Sequence, residues 1–338
     1  MALLEVTDLR TSFRTDDGVV KAVDGVSFSV DRGQTLSIVG ESGSGKSVTC
    51  LTIMGLNDAR NTTTTGSALF HGTDLIGLSR DKLRDLRGMK ISMIFQDPMT
   101  SLNPVKRIGW QLEEAVLVHR DVSRKEARKR ALEALKAVNI PRAEGRIDDY
   151  PHQFSGGMRQ RVMIAMALIN EPDLVIADEP TTALDVTTQA QIVDLMQRLQ
   201  SDYNMAIILI THDLGVVAES ADEVVVMYGG QVVEQGDVDD IFYRPRHPYT
   251  WGLLGSLPRL DVESERLVQI PGQPPSLLHL PSGCRFHPRC TYVMEKCLAE
   301  VPRLEVVAGN HLQRCFLDAA TKEREAAALL AGFVREAS

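Results

Sequence analysis

The sequence predicts an α/β fold: a parallel sheet bearing a glycine-rich loop, an N-terminal antiparallel β portion, an inserted helical subdomain and a small C-terminal cysteine-bearing domain. Three observations lead there. The apolar run 36–39 opens directly into Gly40-Glu41-Ser42-Gly43-Ser44-Gly45-Lys46-Ser47, which is followed by a helix-compatible stretch. Later β runs alternate with helical patterning, as a parallel sheet requires. A charged, helically patterned segment separates the loop from those later runs.

In chain order, residues 3–6, 21–23, 26–30 and 35–39 read as short β runs. Turn residues Asp16-Asp17-Gly18 and Asp31-Arg32-Gly33 divide them. From about residue 81 to 140 the pattern turns largely helical, with apolar positions at helical spacing over 123–136, and a helical subdomain is expected over about 81–160. The β runs 174–177, 206–210 and 223–227 follow, with helices between them. Beyond about residue 240 the texture changes to proline-rich connections, Arg244-Pro245-Arg246-His247-Pro248 and Pro271-Gly272-Gln273-Pro274-Pro275. The expected division is therefore a first domain over 1–240 and a second over 241–338. Residues 61–65 form the one low-complexity patch, and no internal repeat is evident.

Composition narrows the function. A chain of 338 residues with 43% apolar content can bury a substantial core. A formal net charge of -8, without a basic stripe, argues against a nucleic-acid partner. Apolar runs such as 205–210 and 224–227 fall far short of the roughly 20 residues that cross a bilayer. The start, Met1-Ala2-Leu3-Leu4-Glu5, lacks the basic segment and apolar stretch of a secretory signal. A cytoplasmic location is expected, with any membrane role exercised by docking onto integral subunits. Of five cysteines, Cys50 stands alone, while Cys284, Cys290, Cys297 and Cys315 crowd one late segment. In a reducing cytosol that clustering suggests metal ligation before disulfides.

The glycine-rich loop fits G-x-x-x-x-G-K-[ST] in full and lies between strand and helix. Glycines let the backbone turn its N–H groups inward, and the following helix aims its positive end at the same anion. Gly40, Ser42, Gly43 and Gly45 shape this cradle; Lys46 would bind the β and γ phosphates of a nucleotide, and Ser47 would ligate Mg²⁺. A flexible Gly/Ser turn is the alternative reading. The run 174–177 ends in Asp178-Glu179, which sets two carboxylates at the carboxyl edge of a buried strand, where such sheets bind ligands. Alternate strand residues face opposite sides, so the acids can divide the work. Asp178 is the candidate Mg²⁺ ligand acting through water or from behind the direct ligands, and Glu179 the candidate base that orients or deprotonates the attacking water.

Phe154-Ser155-Gly156-Gly157-Met158-Arg159-Gln160-Arg161 resembles the signature motif of ATP-binding-cassette (ABC) ATPases. Alone, it reads as a serine N-cap before an apolar helix. Met158 departs from the glutamine most common there. The resemblance covers about residues 3–240 and implies an ABC-type P-loop nucleotide-binding domain that hydrolyses ATP with Mg²⁺. It implies that Ser155, Gly156 and Gly157 face the γ-phosphate held by a second ATPase subunit, a copy or a paralogue. It also implies that Phe13 stacks on adenine, that Gln96 senses Mg²⁺ and the attacking water, that Asp185 communicates across the dimer and that His212 contacts the γ-phosphate. Catalysis would fall to Glu179, His212 and Gln96, and Mg²⁺ ligation to Ser47, Gln96 and Asp178.

A narrower resemblance covers nearly the whole chain. Gln96-Asp97-Pro98-Met99-Thr100-Ser101-Leu102-Asn103-Pro104, Arg246-His247-Pro248-Tyr249-Thr250, the Pro-Gly-Gln-Pro-Pro segment and the cysteines look like the dipeptide and oligopeptide importer ATPases. It implies peptide import with two integral permease subunits, an extracytoplasmic solute-binding protein acting indirectly, and a peripheral place on the cytoplasmic face of the inner membrane. Nickel and glutathione importers share much of the pattern. In this family the corresponding four cysteines can hold a [4Fe-4S] cluster. Their spacing is not the C-x-x-C of zinc ribbons or bacterial ferredoxins, and thiolates do not choose the metal, so zinc and metal-free packing are the alternatives. His287 and His311 flank the cysteines without being needed as ligands.

Three rival classes fit less well. A repair or chromosome-structuring cassette would be interrupted by a long coiled coil, whereas only a compact helical stretch separates Lys46 from Ser155. A ribosome-acting protein usually carries two cassettes, and there is one phosphate loop here. A subunit that binds ATP without turnover would lack Glu179 or His212.

Overall fold

The computed structural model describes residues 2–97, 101–182, 184–256 and 270–334. These fall into two compact units. One contains Val30–Thr35 and Gly77–Ile210; the other contains Leu4–Ser29, Leu36–Ile76 and the chain from Thr211 onward.

In the first unit, strands Ile91–Ile94, Leu174–Asp178 and Ala206–Ile210 pair in parallel, with Ile94 opposite Ala177 and Asp178 opposite Ile210. Every residue of Leu174–Asp178 and Ala206–Ile210 is buried, which is why both read as unbroken apolar runs. Ile91–Ile94 lies inside the stretch expected to be largely helical; at four residues it is too short to show a period. The longer helices of the unit are Ile108–Leu117, Arg124–Ala137, Gly156–Leu168 and Val186–Tyr203. The second is capped by Ser123, whose side chain accepts from the Glu126 amide, and it buries Ala127, Ala131 and Leu135 at four-residue steps. Burying a leucine such as Leu135 contributes about 1.5–3 kcal/mol.

The second unit holds two sheet regions. In the first, the strand order is Gly18–Val30, Leu4–Thr15, Thr62–Phe70 and Thr73–Asp74. This is the expected antiparallel portion, with strands longer than the short runs the sequence suggested. Leu4 faces Phe70 and Phe13 faces Thr62. In the second, Thr35–Val39 pairs in parallel with Glu223–Tyr228, which turns through Gly229 and Gly230 into the antiparallel strand Gln231–Asp237. His311–Gln313 adds to Gln231–Asp237, and Glu305–Ala308 adds to His311–Gln313. Late strands from the cysteine-bearing region thus extend the sheet that carries the glycine-rich loop. Tyr228, Tyr249 and Phe286 pack in one core, with ring centroids 4.6, 5.2 and 5.5 Å apart. No helix among the described residues is long and apolar enough to cross a membrane.

Candidate nucleotide-binding and hydrolysis site

The phosphate loop leaves the buried strand Thr35–Val39 and enters helix Lys46–Ile53. Two glycines are obligatory. Gly40 has φ +146°, and a Cβ there would lie 2.2 Å from the Met227 carbonyl oxygen. Gly45 has φ +101°, and its Cβ would meet the Ala22 carbonyl at 2.3 Å. Ser42 and Gly43 form the exposed tip, while Ser44 and Lys46 are buried and Ser47 is half-buried in the first helical turn. The Lys46 ammonium donates to the carbonyls of Gly40 at 2.6 Å and Glu41 at 3.0 Å, so it already spans the mouth of the loop. Among the described residues, the buried Ser44 hydroxyl has no hydrogen-bond partner. Such a loop, leading into a helix N-terminus, is built to receive an anion. Phe13, half-buried on Leu4–Thr15, and His212, exposed just before helix Leu214–Ser220, belong to the same unit.

Asp178, Glu179, Gln96, Asp185 and the signature serine belong to the other unit. Asp178 ends its strand only 8% exposed. Glu179 takes a left-handed backbone, φ +47°, which a non-glycine residue adopts at a cost. Its amide is held by the Ile210 carbonyl at 2.9 Å. Its carboxylate accepts from Gln96 Nε2 at 2.8 Å and from the Thr182 hydroxyl at 2.9 Å. Two residues expected to act on the attacking water are therefore joined directly, although 83 positions separate them. Pro98, Met99 and Thr100 of the motif beginning at Gln96, and Ala183 before Leu184-Asp185, lie outside the described residues.

Ser155 caps helix Gly156–Leu168 and accepts from the Met158 amide at 3.3 Å. That helix has no acidic residue in its own first turn. Asp185 caps helix Val186–Tyr203 and accepts from the Thr188 amide at 2.9 Å and the Thr188 hydroxyl at 2.8 Å. The Thr188 bonds hold the Asp185 carboxyl below the usual carboxylate range. The two helix starts meet: a Cβ on Gly157 would stand 2.8 Å from Thr188 Cγ2. Asp185 thereby fixes the side chain against which the signature glycine packs.

Cys284, Cys290, Cys297 and Cys315 line one small cavity together with His247 and Phe286. Burial pushes the Cys290 thiol up to about 12 and the Cys315 thiol up to about 11, and raises Cys284 as well. Among the described residues, however, no group of three or more His, Cys, Asp or Glu is arranged to hold a metal ion. The expected iron–sulfur or zinc site is thus unsupported as a ready metal-ion ligand set. His287 Nδ1 lies 2.9 Å from the Cys284 carbonyl oxygen and acts on the backbone. Sequence reasoning gave no role to Thr182, Tyr249 or Arg289. Tyr249 stood inside a noted motif, but that its hydroxyl meets the Glu41 amide at 2.8 Å is a contact across 208 positions that no local pattern carries.

Residues 23–182 match the family described as ABC transporter, and residues 233–297 match the oligopeptide/dipeptide transporter C-terminal region. The chain is 54% identical to the oligopeptide transport ATP-binding protein OppD of Escherichia coli K12, over 93% of each chain. It is 53% identical to the Bacillus subtilis 168 protein of the same name, over 93% of this chain and 88% of that one. A dimeric post-hydrolysis structure of the ATP-binding cassette MJ0796 bound to ADP and Pi superposes with TM-score 0.63 at 29% identity, covering 70% of this chain and 98% of that one. The phosphate loop, the Gln96–Glu179 pair and these likenesses agree: this chain belongs to the ABC transporter family as an ATPase subunit with an oligopeptide/dipeptide transporter C-terminal region.

Proposed function

We propose that this chain hydrolyses ATP to drive a membrane importer of dipeptides or oligopeptides. What carries the reading is the joining, in one chain, of a phosphate loop and a paired Gln96–Glu179 with a C-terminal region similar to that of peptide transporters. Residues 1–240 would form the ATPase cassette, with its helical subdomain at about 81–160, and residues 241–338 the importer-specific domain.

Lys46 and the loop amides bind the β and γ phosphates, and Phe13 stacks on the base. Ser47, Gln96 and Asp178 would hold Mg²⁺, which offsets phosphate charge when bound. Carboxylate, amide and hydroxyl oxygens are the donor types that a hard cation takes. Glu179 accepts a proton from the attacking water while Gln96 fixes its carboxylate, and His212 contacts the γ-phosphate. Ser155, Gly156 and Gly157 meet the nucleotide of a second ATPase subunit, copy or paralogue, with Asp185 signalling between the two. Closure on ATP and reopening after hydrolysis would drive two permease subunits between inward- and outward-facing states, fed by an extracytoplasmic solute-binding protein. The chain would sit peripherally on the cytoplasmic face of the membrane. ATP-dependent uptake of labelled peptides by vesicles containing the purified native complex tests the proposal; uptake of nickel or glutathione in place of peptides would refute the substrate class. Ser155→Arg should block ATP-driven pairing of subunits, and pairing that survives it would remove that contact.

The cysteine cavity has a separate proposed role, a structural [4Fe-4S] cluster. Four sulfur donors on one cavity suit it; burial holds the free thiols in their neutral form, so ligation would have to displace their protons. Such a cluster would brace a region with a small core. Iron and sulfide in anaerobically prepared protein are the expected analysis; zinc alone, or no metal, would refute it.

A further inference from the structure

The stretch between Cys284 and Cys290 carries an arginine beside each cysteine, and both arginines reach the support of the phosphate loop. Arg289, 4% exposed in its side chain, grips Glu41 with two prongs: Nη1 to Oε2 at 2.6 Å and Nη2 to Oε1 at 3.0 Å. Its Nε donates to the Pro271 carbonyl at 2.8 Å, and Nη2 also to the Ile270 carbonyl at 3.2 Å, so the guanidinium is fixed on both sides. Glu41 is the second residue of the phosphate loop. Its amide donates to the Tyr249 hydroxyl at 2.8 Å, and its carbonyl accepts from Lys46 at 3.0 Å and from the Ser44 amide at 3.2 Å. Arg285 bonds the Gly229 carbonyl and Asp24, and the Gly230 amide donates to the Ser44 carbonyl at 2.9 Å.

We propose that Arg289 is a positioning residue for nucleotide binding: by clamping Glu41 it holds the phosphate loop in its receptive shape and cancels the one carboxylate that the loop carries. Two physical effects act together. A bidentate guanidinium–carboxylate pair fixes orientation as well as distance, so the loop arrives pre-ordered and loses less freedom on binding. A carboxylate on a loop that receives a polyanion repels it unless a cation stands against that carboxylate. Arg289 comes immediately before Cys290 and ends the short helical turn His287–Arg289, so the C-terminal region becomes a brace for the ATP site.

The test is equilibrium ATP binding and steady-state hydrolysis by the full chain, with Lys46→Ala as a control. Arg289→Gln should raise the ATP dissociation constant and KM by about tenfold, the scale of losing a hydrogen bond to a charged group, with the loss in KM rather than kcat. Glu41→Gln combined with Arg289→Gln should regain much of that loss, because the uncancelled carboxylate is gone; simple damage to the fold would not be reversed by a second change. Arg289→Lys, which keeps the charge but not the fork, should bind several-fold more weakly than wild type. Unchanged affinity in Arg289→Gln, or a double variant as weak as the single one, would overturn the proposal. Should Arg289→Gln fail to fold, wild-type affinity in Arg289→Lys would overturn it instead. Failure of the wild-type chain to bind ATP would overturn the nucleotide site itself, a separate result.

Discussion

The amide of Gln96 donates to the carboxylate of Glu179 at 2.8 Å, and the Thr182 hydroxyl meets the same oxygen at 2.9 Å. Gln96 reaches it from just beyond strand Ile91–Ile94, which pairs with the strand preceding Glu179. Orientation of the carboxylate is thus set by a side chain on the neighbouring strand's exit. Gln96→Ala should lower kcat roughly tenfold to a hundredfold, the scale of misplacing a catalytic group, while ATP affinity stays near wild type. Steady-state hydrolysis by the assembled complex checks it, and a kcat within twofold of wild type would contradict it.

Lys46 bridges the Gly40 and Glu41 carbonyls and so belongs to the loop's shape as well as to its charge. Lys46→Ala should weaken ATP binding by about tenfold to a hundredfold, since a charged hydrogen bond is worth about 1.5–3 kcal/mol. Calorimetric titration reads this directly; undiminished affinity would remove Lys46 from the phosphate site.

Gly157 has no room for a methyl group, because its Cβ would stand 2.8 Å from Thr188 Cγ2 while the Thr188 hydroxyl is tied to Asp185 at 2.8 Å. Gly157→Ala should therefore destabilise the protein by about 1–3 kcal/mol through overpacking. Adding Thr188→Ser, which deletes the clashing methyl but keeps the hydroxyl, should restore most of the loss. Thermal unfolding of the single and double variants decides; no rescue would mean that the contact is not the cause.

The sequence made the local pieces readable and left the pairings out. Gly40–Ser47 and Asp178-Glu179 announce themselves because a full motif or a buried apolar run needs only adjacent residues. The strand Thr62–Phe70 was hidden in what looked like a threonine-rich low-complexity patch: its early half is mostly exposed, so no apolar alternation marks it, though its β-branched residues carried the signal. Ile91–Ile94 is too short to be told from the helical patterning around it. The Gln96–Glu179 and Arg289–Glu41 bonds span 83 and 248 positions, and sequence proximity cannot register contacts made only by the fold. The cysteines are the reverse case: their crowding in the sequence carries through to one shared cavity, while among the described residues no group of three or more is arranged as a ready metal site.

The central claim is that Glu179 activates water at an ATP site, and Glu179→Gln tests it most directly. This change keeps the side chain's size and a hydrogen-bonding oxygen while removing the base, so ATP binding should persist and hydrolysis by the assembled complex should fall by about 10²–10⁴-fold. Parallel measurement of ATP affinity and kcat is decisive: retained affinity with collapsed turnover is the expected result, and a turnover within a few-fold of wild type would contradict the account.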